Sequence, residues 1–146
     1  IHPLGKEILA KRMADQWLAM RKKTTVPSGP VVTSAERDEK GNITISFKNS
    51  TAQGLQAMKP DYSLNASATK VASSTDEKLG GFEAADASGN FSPATATIRG
   101  NQLVVSSDDV GRITQVRYLF SGDPNCSSML YNKQQLPASP FIIAIP

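Results

Sequence analysis

Few side chains in this sequence are of the types that carry acid–base or nucleophilic chemistry, and the one histidine, His2, is among them. Catalysis by a serine nucleophile requires, besides the serine, a base that removes its proton and a carboxylate that holds this base in the correct tautomer. His2, followed by Pro3, is the one histidine of the chain. A single histidine near a chain end is usually a solvated or capping residue, although its side chain has the chemistry of such a base. No serine lies in a glycine-flanked turn between a strand and a helix, where such nucleophiles are exposed. We therefore expect the chain by itself to be inactive.

A single cysteine, Cys126, excludes an internal disulfide and any metal site that needs several thiolates. Its neighbours Asn125, Ser127 and Ser128 carry no positive charge that would favour a reactive thiolate. We expect an unreactive thiol, no metal ion and no cofactor.

The composition is that of an ordinary globular protein, with 39% hydrophobic and 20% charged residues. A length of 146 residues allows one domain, or one domain with an attached piece of another. The net charge is +3, but the cations are scattered apart from residues 21–23, at the end of a predicted helix, where they oppose the helix dipole. We therefore expect no nucleic-acid partner. No apolar run reaches the roughly 18 residues that a membrane span requires, so no span is predicted.

The element that follows His2 is a predicted helix from Leu4 to Arg21. Its apolar side chains occupy two sides of the cylinder, one with Leu9, Met13, Trp17 and Met20, the other with Leu4, Ile8 and Leu18. So wide an apolar surface predicts a helix that covers a larger body; the alternative is a helix that lies on the remainder of its own chain. If the larger body is missing, the helix is expected to associate with a second copy or to swing away.

Residues 24–30 (TTVPSGP) combine β-branched residues, two prolines and a glycine, which end a helix and favour an extended connection. We place a domain boundary there. The predicted units are residues 1–23, the linker 24–30, and a domain of residues 31–146.

Beyond residue 30 the hydrophobic period changes to two, as in strands with one buried face. The clearest strand contains Ile43, Ile45 and Phe47. Further strands are predicted from these segments: Val31-Val32, Gly81 to Ala84, the alternating Ala94, Ala96 and Ile98, Leu103 to Ser106, and the alternating Val116, Tyr118 and Phe120.

Tight turns that contain Gly41, Gly89 and Gly100 separate several of these strands. Six or seven short strands with such turns predict an antiparallel β-sandwich. The stretch from Asn49 to Lys78 has little periodicity and is interpreted mainly as a long surface excursion between sheets.

Three groups of residues carry a resemblance to a known family. The first is His2-Pro3 before a helix. The second is Leu79 to Asp86 (LGGFEAAD), followed by Gly89-Asn90-Phe91. The third comprises Val116-Arg117-Tyr118, Asp123-Pro124, Leu130-Tyr131-Asn132 and Leu136 to Phe141 (LPASPF), in that order. Together they resemble the C-terminal part of the sialate O-acetylesterase family of SGNH-type carbohydrate esterases.

The resemblance implies a mainly β fold: an Ig-like or jelly-roll-like antiparallel sandwich, preceded by one helix left from an α/β hydrolase domain. His2 would then be the general acid/base of a serine esterase that removes acetyl groups from sialic acid or other glycans. The family's aspartate, in a D-x-x-H-P element, would precede Ile1, and its serine would also lie upstream. The start at Ile1, without an initiator methionine, is likewise expected of a piece cut from a longer chain.

The partners that this resemblance implies are an upstream hydrolase domain of the same polypeptide and an acetylated glycan, in a periplasmic or secreted protein. Gln135 departs from the family pattern, which usually has glycine before Leu-Pro-Ala, and Leu119-Phe120 replaces a more usual Ala-Trp pair. The tail segments are expected to close a sheet edge or to return beside the helix, with Phe141 as an anchor.

Two other functions stay open for the sandwich. It could be a carbohydrate-binding module, because Tyr62 and Tyr131 look exposed and sugar rings stack on aromatic faces. It could also be a scaffold that supports the hydrolase domain through the helix and the proline-rich tail.

Overall fold

The computed structural model describes residues 6–59, 72–73 and 78–146. Helix α1 spans Lys6–Arg21, so its end agrees with the sequence prediction. The backbone N–H of Thr24 donates to the carbonyl of Ala19, and that of Lys23 donates to Met20. Together with the left-handed conformation of Lys23, φ 54°, these two bonds form a Schellman-type cap. Residues 24–31 continue without helix or strand.

Twelve strands follow in the described residues: β1 Val32–Arg37, β2 Ile43–Phe47, β3 Gln56–Lys59, β4 Ala72–Ser73, β5 Lys78–Leu79, β6 Phe82–Ala85, β7 Phe91–Pro93, β8 Thr95–Arg99, β9 Gln102–Ser106, β10 Gln115–Tyr118, β11 Met129–Tyr131 and β12 Phe141–Ala144. Every pairing between them is antiparallel. The predicted fold class, a mainly β antiparallel sandwich behind one helix, is confirmed.

The strands form three sheets. A five-stranded sheet has the order β1-β2-β9-β8-β5, a four-stranded sheet the order β12-β10-β6-β7, and a three-stranded sheet the order β11-β3-β4. Strand β12 lies at the edge of the four-stranded sheet and β11 at the edge of the three-stranded one. The tail therefore closes sheet edges, as predicted.

One hydrophobic core joins the sheets. Strand β2 buries Ile43, Ile45 and Phe47 while its intervening residues stay partly exposed, which confirms the alternation seen in the sequence. Phe141 of β12 contacts Phe47 of β2, Phe82 of β6 and Tyr118 of β10, with ring centroids 5.5–6.4 Å apart. Because Phe47 belongs to a different sheet from the other three rings, Phe141 is the expected anchor of the tail.

The predicted hairpin turns are all present. Gly41 joins β1 to β2, Gly89 joins β6 to β7 and Gly100 joins β8 to β9, with φ angles of 86°, 78° and 60°. These positive angles explain why glycine occupies the three turns.

One sequence prediction was wrong. Phe120 does not continue the alternation of β10: the strand ends at Tyr118, Leu119 turns left-handed with φ 48°, and Phe120 is 54% exposed. The stretch from 49 to 78 was predicted mainly as a surface excursion, and residues 60–71 and 74–77 of it lie outside the described residues. Its described part contributes β3, β4 and the first residue of β5, and it buries Ala52, Ala57 and Met58. Tertiary pairing with β11 and β8 stabilises β3 and β5 despite their weak periodicity.

Candidate functional site

The predicted base, His2, lies outside the described residues. Because the chain has one histidine, the part that the structure describes contains none, and no serine–histidine pair can form within it. The role of His2 stays a prediction.

Cys126, the other reactive residue type considered, is a free and partly exposed cysteine in the loop between β10 and β11. Within the described ranges no group of three or more His, Cys, Asp and Glu side chains could hold a metal ion. No helix in these ranges is long and apolar enough to cross a membrane.

Two of the segments that resemble family motifs, Leu130-Tyr131-Asn132 and Leu136 to Phe141, lie beside the helix and the linker. We call this region the junction: helix α1, residues 24–31 and residues 131–139. Arg12, on the helix, donates from Nη2 to the backbone carbonyl of Gln135 at 2.9 Å. Its guanidinium carbon lies 5.9 Å from the ring centroid of Tyr131. Gln16 adds a longer hydrogen bond of 3.5 Å to the carbonyl of Pro27. The helix is thus attached by polar contacts to its own linker and tail.

Asn132 is the centre of the junction and is only 3% exposed. Its Nδ2 donates to the carbonyls of Ser28 at 2.9 Å and Thr51 at 3.0 Å. Its Oδ1 accepts from the backbone N–H groups of Gln134 and Leu136, both at 3.1 Å. One buried amide therefore holds the linker with its nitrogen and the 132–136 turn with its oxygen.

Gly29 makes the second linker contact. A Cβ atom at Gly29 would lie 1.8 Å from the carbonyl oxygen of Pro137 and 2.5 Å from its carbonyl carbon. The two backbones are therefore in direct contact, and no side chain fits between them. Glycine is required here for space, since this residue does not have a positive φ angle.

A recess of about 290 Å³ separates the helix from the tail. Leu9, Arg12 and Met13 line one side, and Leu136, Pro137 and Ser139 line the other. The recess combines apolar surface with a guanidinium group and backbone carbonyls, so it could hold a side chain of another polypeptide or a small polar ligand.

The predicted apolar stripe of the helix is uncovered. Leu9 is 59% exposed, Met13 63%, Trp17 54% and Met20 59%. Ala19 is the one buried residue of α1. The alternative of a helix that buries this stripe on its own sandwich does not describe the structure, and the stripe has the composition of a surface that binds another protein body.

A second cluster lies on the outer face of the four-stranded sheet. Arg117 donates from Nε to one carboxylate oxygen of Glu83 at 2.7 Å and from Nη2 to the other at 2.9 Å. Its guanidinium carbon also lies 4.1 Å from the ring centroid of Phe91. Both carboxylate oxygens of Glu83 accept from the guanidinium group, so the pair links β6 and β10 on this face of the sheet.

The aromatic argument for a sugar-binding platform fails for Tyr131, which is 4% exposed and lies beneath Arg12. Tyr62 lies outside the described residues. Phe91, on the outer sheet face, is covered by Arg117.

Asn132, Gly29 and Arg12 were not identified as junction residues from the sequence. Two features of the sequence were relevant to them. Asn132 belongs to a segment that resembles a family motif, and Gly29 stands between Ser28 and Pro30 in a segment for which no tight turn is predicted. Their pairing could not be read from the sequence, because Asn132 and Ser28 are 104 positions apart.

The chain is similar in structure to part of a solved protein. A structure from Xanthomonas citri matches 97% of the chain with 28% sequence identity and a TM-score of 0.71. The matched protein is a carbohydrate acetylesterase. The chain spans 29% of the length of that enzyme. No protein-family profile and no curated protein matches the chain.

The similarity to the carbohydrate acetylesterase supports an origin related to carbohydrate esterases. Because it extends over 97% of the chain, it includes the described helix together with the sandwich.

Proposed function

We propose that this chain is the C-terminal part of a carbohydrate O-acetylesterase, in which the sandwich is an accessory domain beside a separate hydrolase domain. The observation that carries the proposal is the similarity to part of a carbohydrate acetylesterase over 97% of the chain. The uncovered apolar stripe on α1 supports it independently, since such a stripe fits burial against a second folded body.

In the proposed enzyme, a serine and an aspartate from the hydrolase domain complete a catalytic triad with His2. His2 would take the proton of the serine as it attacks the acetyl carbonyl, and then return a proton to the sugar oxygen that leaves. Water would release acetate from the acyl-enzyme by the same route. In this proposal the described residues position and support the hydrolase domain that carries out the reaction.

The substrate in this proposal is an O-acetylated glycan, with sialic acid as the first candidate. Its motivation is the resemblance of the LGGFEAAD and LPASPF segments to the sialate O-acetylesterase family. A glycan substrate also fits a periplasmic or secreted protein, which is where we propose that it acts.

The first prediction tests this function in a longer protein that includes the hydrolase domain. His2→Ala should lower kcat on an acetyl ester by roughly a thousandfold or more, as expected for loss of the base of a serine triad. Lys22→Ala, at an exposed position just after the helix and outside the apolar stripe, serves as the control for a change near the same segment. A panel of O-acetylated sialic acid and O-acetylated neutral oligosaccharides identifies the sugar. Equal turnover by His2→Ala and the wild type would remove the assignment of His2.

A further inference from the structure

We propose that residues 24–31 form a rigid joint, locked by Asn132 and by the Gly29–Pro137 contact, and that this joint sets the orientation of helix α1. The sequence alone predicts only an extended connection there, on which the helix is expected to swing away if it lacks a partner. The contacts of residues 24–31 indicate instead a fixed connection between the helix and the sandwich.

The first step concerns the hydrogen bonds of the joint. Every hydrogen-bonding position of the Asn132 amide is used, two as donors and two as acceptors. The donor to Ser28 is the one that holds the joint itself. Displacement of the linker is therefore unfavourable, because each hydrogen bond that is lost would leave a buried polar atom unsatisfied.

The second step concerns the two ends of the joint. On the side of the sandwich, the N–H of Val31 donates to Oγ1 of Thr51 at 3.1 Å and its carbonyl accepts from Lys48 at 2.8 Å. On the side of the helix, the N–H of Thr24 donates to Ala19 at 2.9 Å as part of the helix cap. Between these anchors Gly29 lies against the backbone of Pro137.

The third step concerns the helix. Arg12 reaches across from α1 to the carbonyl of Gln135, in the turn that the Oδ1 atom of Asn132 holds. The same turn therefore fixes the joint and the helix. Asn132 is thus a positioning residue: it acts on the direction in which α1 presents its exposed stripe. This consequence for a hydrolase domain rests on the proposed function, whereas the rigid joint can be tested without it.

Two substitutions disturb the joint by different means. Asn132→Asp keeps an acceptor for Gln134 and Leu136 but loses the donor to Ser28 and Thr51, so it should release the linker and preserve the turn. Gly29→Ala leaves Asn132 intact and forces the backbones apart. The matched controls are Asn101→Asp, in the exposed β8–β9 turn, and Gly111→Ala, whose added Cβ meets nothing within 4 Å.

The experiment uses the 146-residue chain and its single tryptophan, Trp17, which lies on α1. Time-resolved fluorescence anisotropy of Trp17 should show mainly overall tumbling in the wild type and both controls. Asn132→Asp and Gly29→Ala should each add a fast component from independent helix motion. The amide of Val31 should exchange with deuterium roughly tenfold faster in both variants, as expected for loss of one buried hydrogen bond, while β2 and β10 keep their protection.

Unchanged Trp17 anisotropy and Val31 exchange in both variants would overturn the proposal. Loss of protection throughout β2 and β10 in both variants would also overturn it, because the joint would then be part of the sandwich core. In the longer enzyme, Asn132→Asp should lower kcat several-fold and His2→Ala should lower it by roughly a thousandfold or more. If His2→Ala has no effect, the proposed function fails while the anisotropy result still decides the joint.

Discussion

Gln135 adopts a left-handed backbone conformation, φ 58°, at the position where the resembling family usually has glycine. An L-residue with a side chain pays roughly 1–2 kcal/mol for this conformation, which glycine adopts freely. The junction uses Gln135 through its main chain: its carbonyl accepts from Arg12 and its N–H donates to Asn132.

The second prediction follows from this main-chain role. Gln135→Gly should raise the free energy of unfolding by about 0.5–1 kcal/mol, since relief of strain exceeds the extra entropy that glycine loses on folding. Urea unfolding at neutral pH measures the change. Gln53→Gly, in an exposed turn without a positive φ angle, is the control and should not stabilise the chain. The idea fails if Gln135→Gly is no more stable than Gln53→Gly.

At the scale of elements, helix α1 makes its polar contacts with the rest of the chain and leaves its apolar stripe exposed. Arg12 and Gln16 bond to the tail and linker, whereas Met13 and Trp17 are 63% and 54% exposed. Burial of a large apolar side chain contributes roughly 1.5–3 kcal/mol, so a stripe of several such residues favours association with any fitting surface.

The third prediction is that the isolated chain associates through this stripe as its concentration rises. In dilute solution Trp17 should emit at long wavelength and be quenched readily by acrylamide; on association it should become protected. Met13→Lys should shift the sedimentation coefficient toward that of the monomer. Ile142→Lys, at an exposed position of strand β12, is the matched control and should not change the sedimentation coefficient. A dilute monomer with a blue-shifted, protected Trp17 would show that the chain covers its own stripe and would contradict the two-domain interpretation.

At the scale of the whole molecule, Tyr118 joins two sheets through its side chain. Its ring packs on Phe82 and Phe141, and its hydroxyl oxygen accepts from the backbone N–H of Leu130 at 2.9 Å. Leu130 belongs to β11 of the three-stranded sheet, while Tyr118 belongs to β10 of the four-stranded one. Burial raises the pKa of Tyr118 well above its ordinary value, and the hydrogen bond from Leu130 opposes this rise only in part.

The fourth prediction concerns stability at alkaline pH. Above the pKa of an exposed tyrosine, about 10, the unfolded chain loses the Tyr118 proton while the folded chain keeps it, so stability falls as pH rises. Tyr118→Phe should remove this part of the alkaline slope. At pH 7 the same variant should lose roughly 1–3 kcal/mol, because the buried N–H of Leu130 has lost its acceptor. Urea unfolding from pH 7 to 11 measures both effects, and equal slopes above pH 10 would contradict the assignment.

The sequence by itself determined those features that depend on near neighbours. The alternation of Ile43, Ile45 and Phe47 predicted β2, and the glycines of three turns predicted the hairpins, because a strand's side chains alternate between faces and tight hairpins need positive φ angles. The end of α1 at Arg21 was predicted on the same local grounds. The identity of His2 as a base came from a resemblance, and the described structure leaves it a prediction.

Tertiary structure alone decided the features that depend on distant partners. Strands β3 and β5 exist because β11 and β8 pair with them, and no local periodicity marks them. Asn132 binds the carbonyls of Ser28 and Thr51, which are 104 and 81 positions away. The structural role of a buried amide depends on the backbone groups that the fold brings within hydrogen-bonding distance of it. For this reason the sequence alone did not predict the joint between helix and sandwich, although it contains every residue that forms the joint.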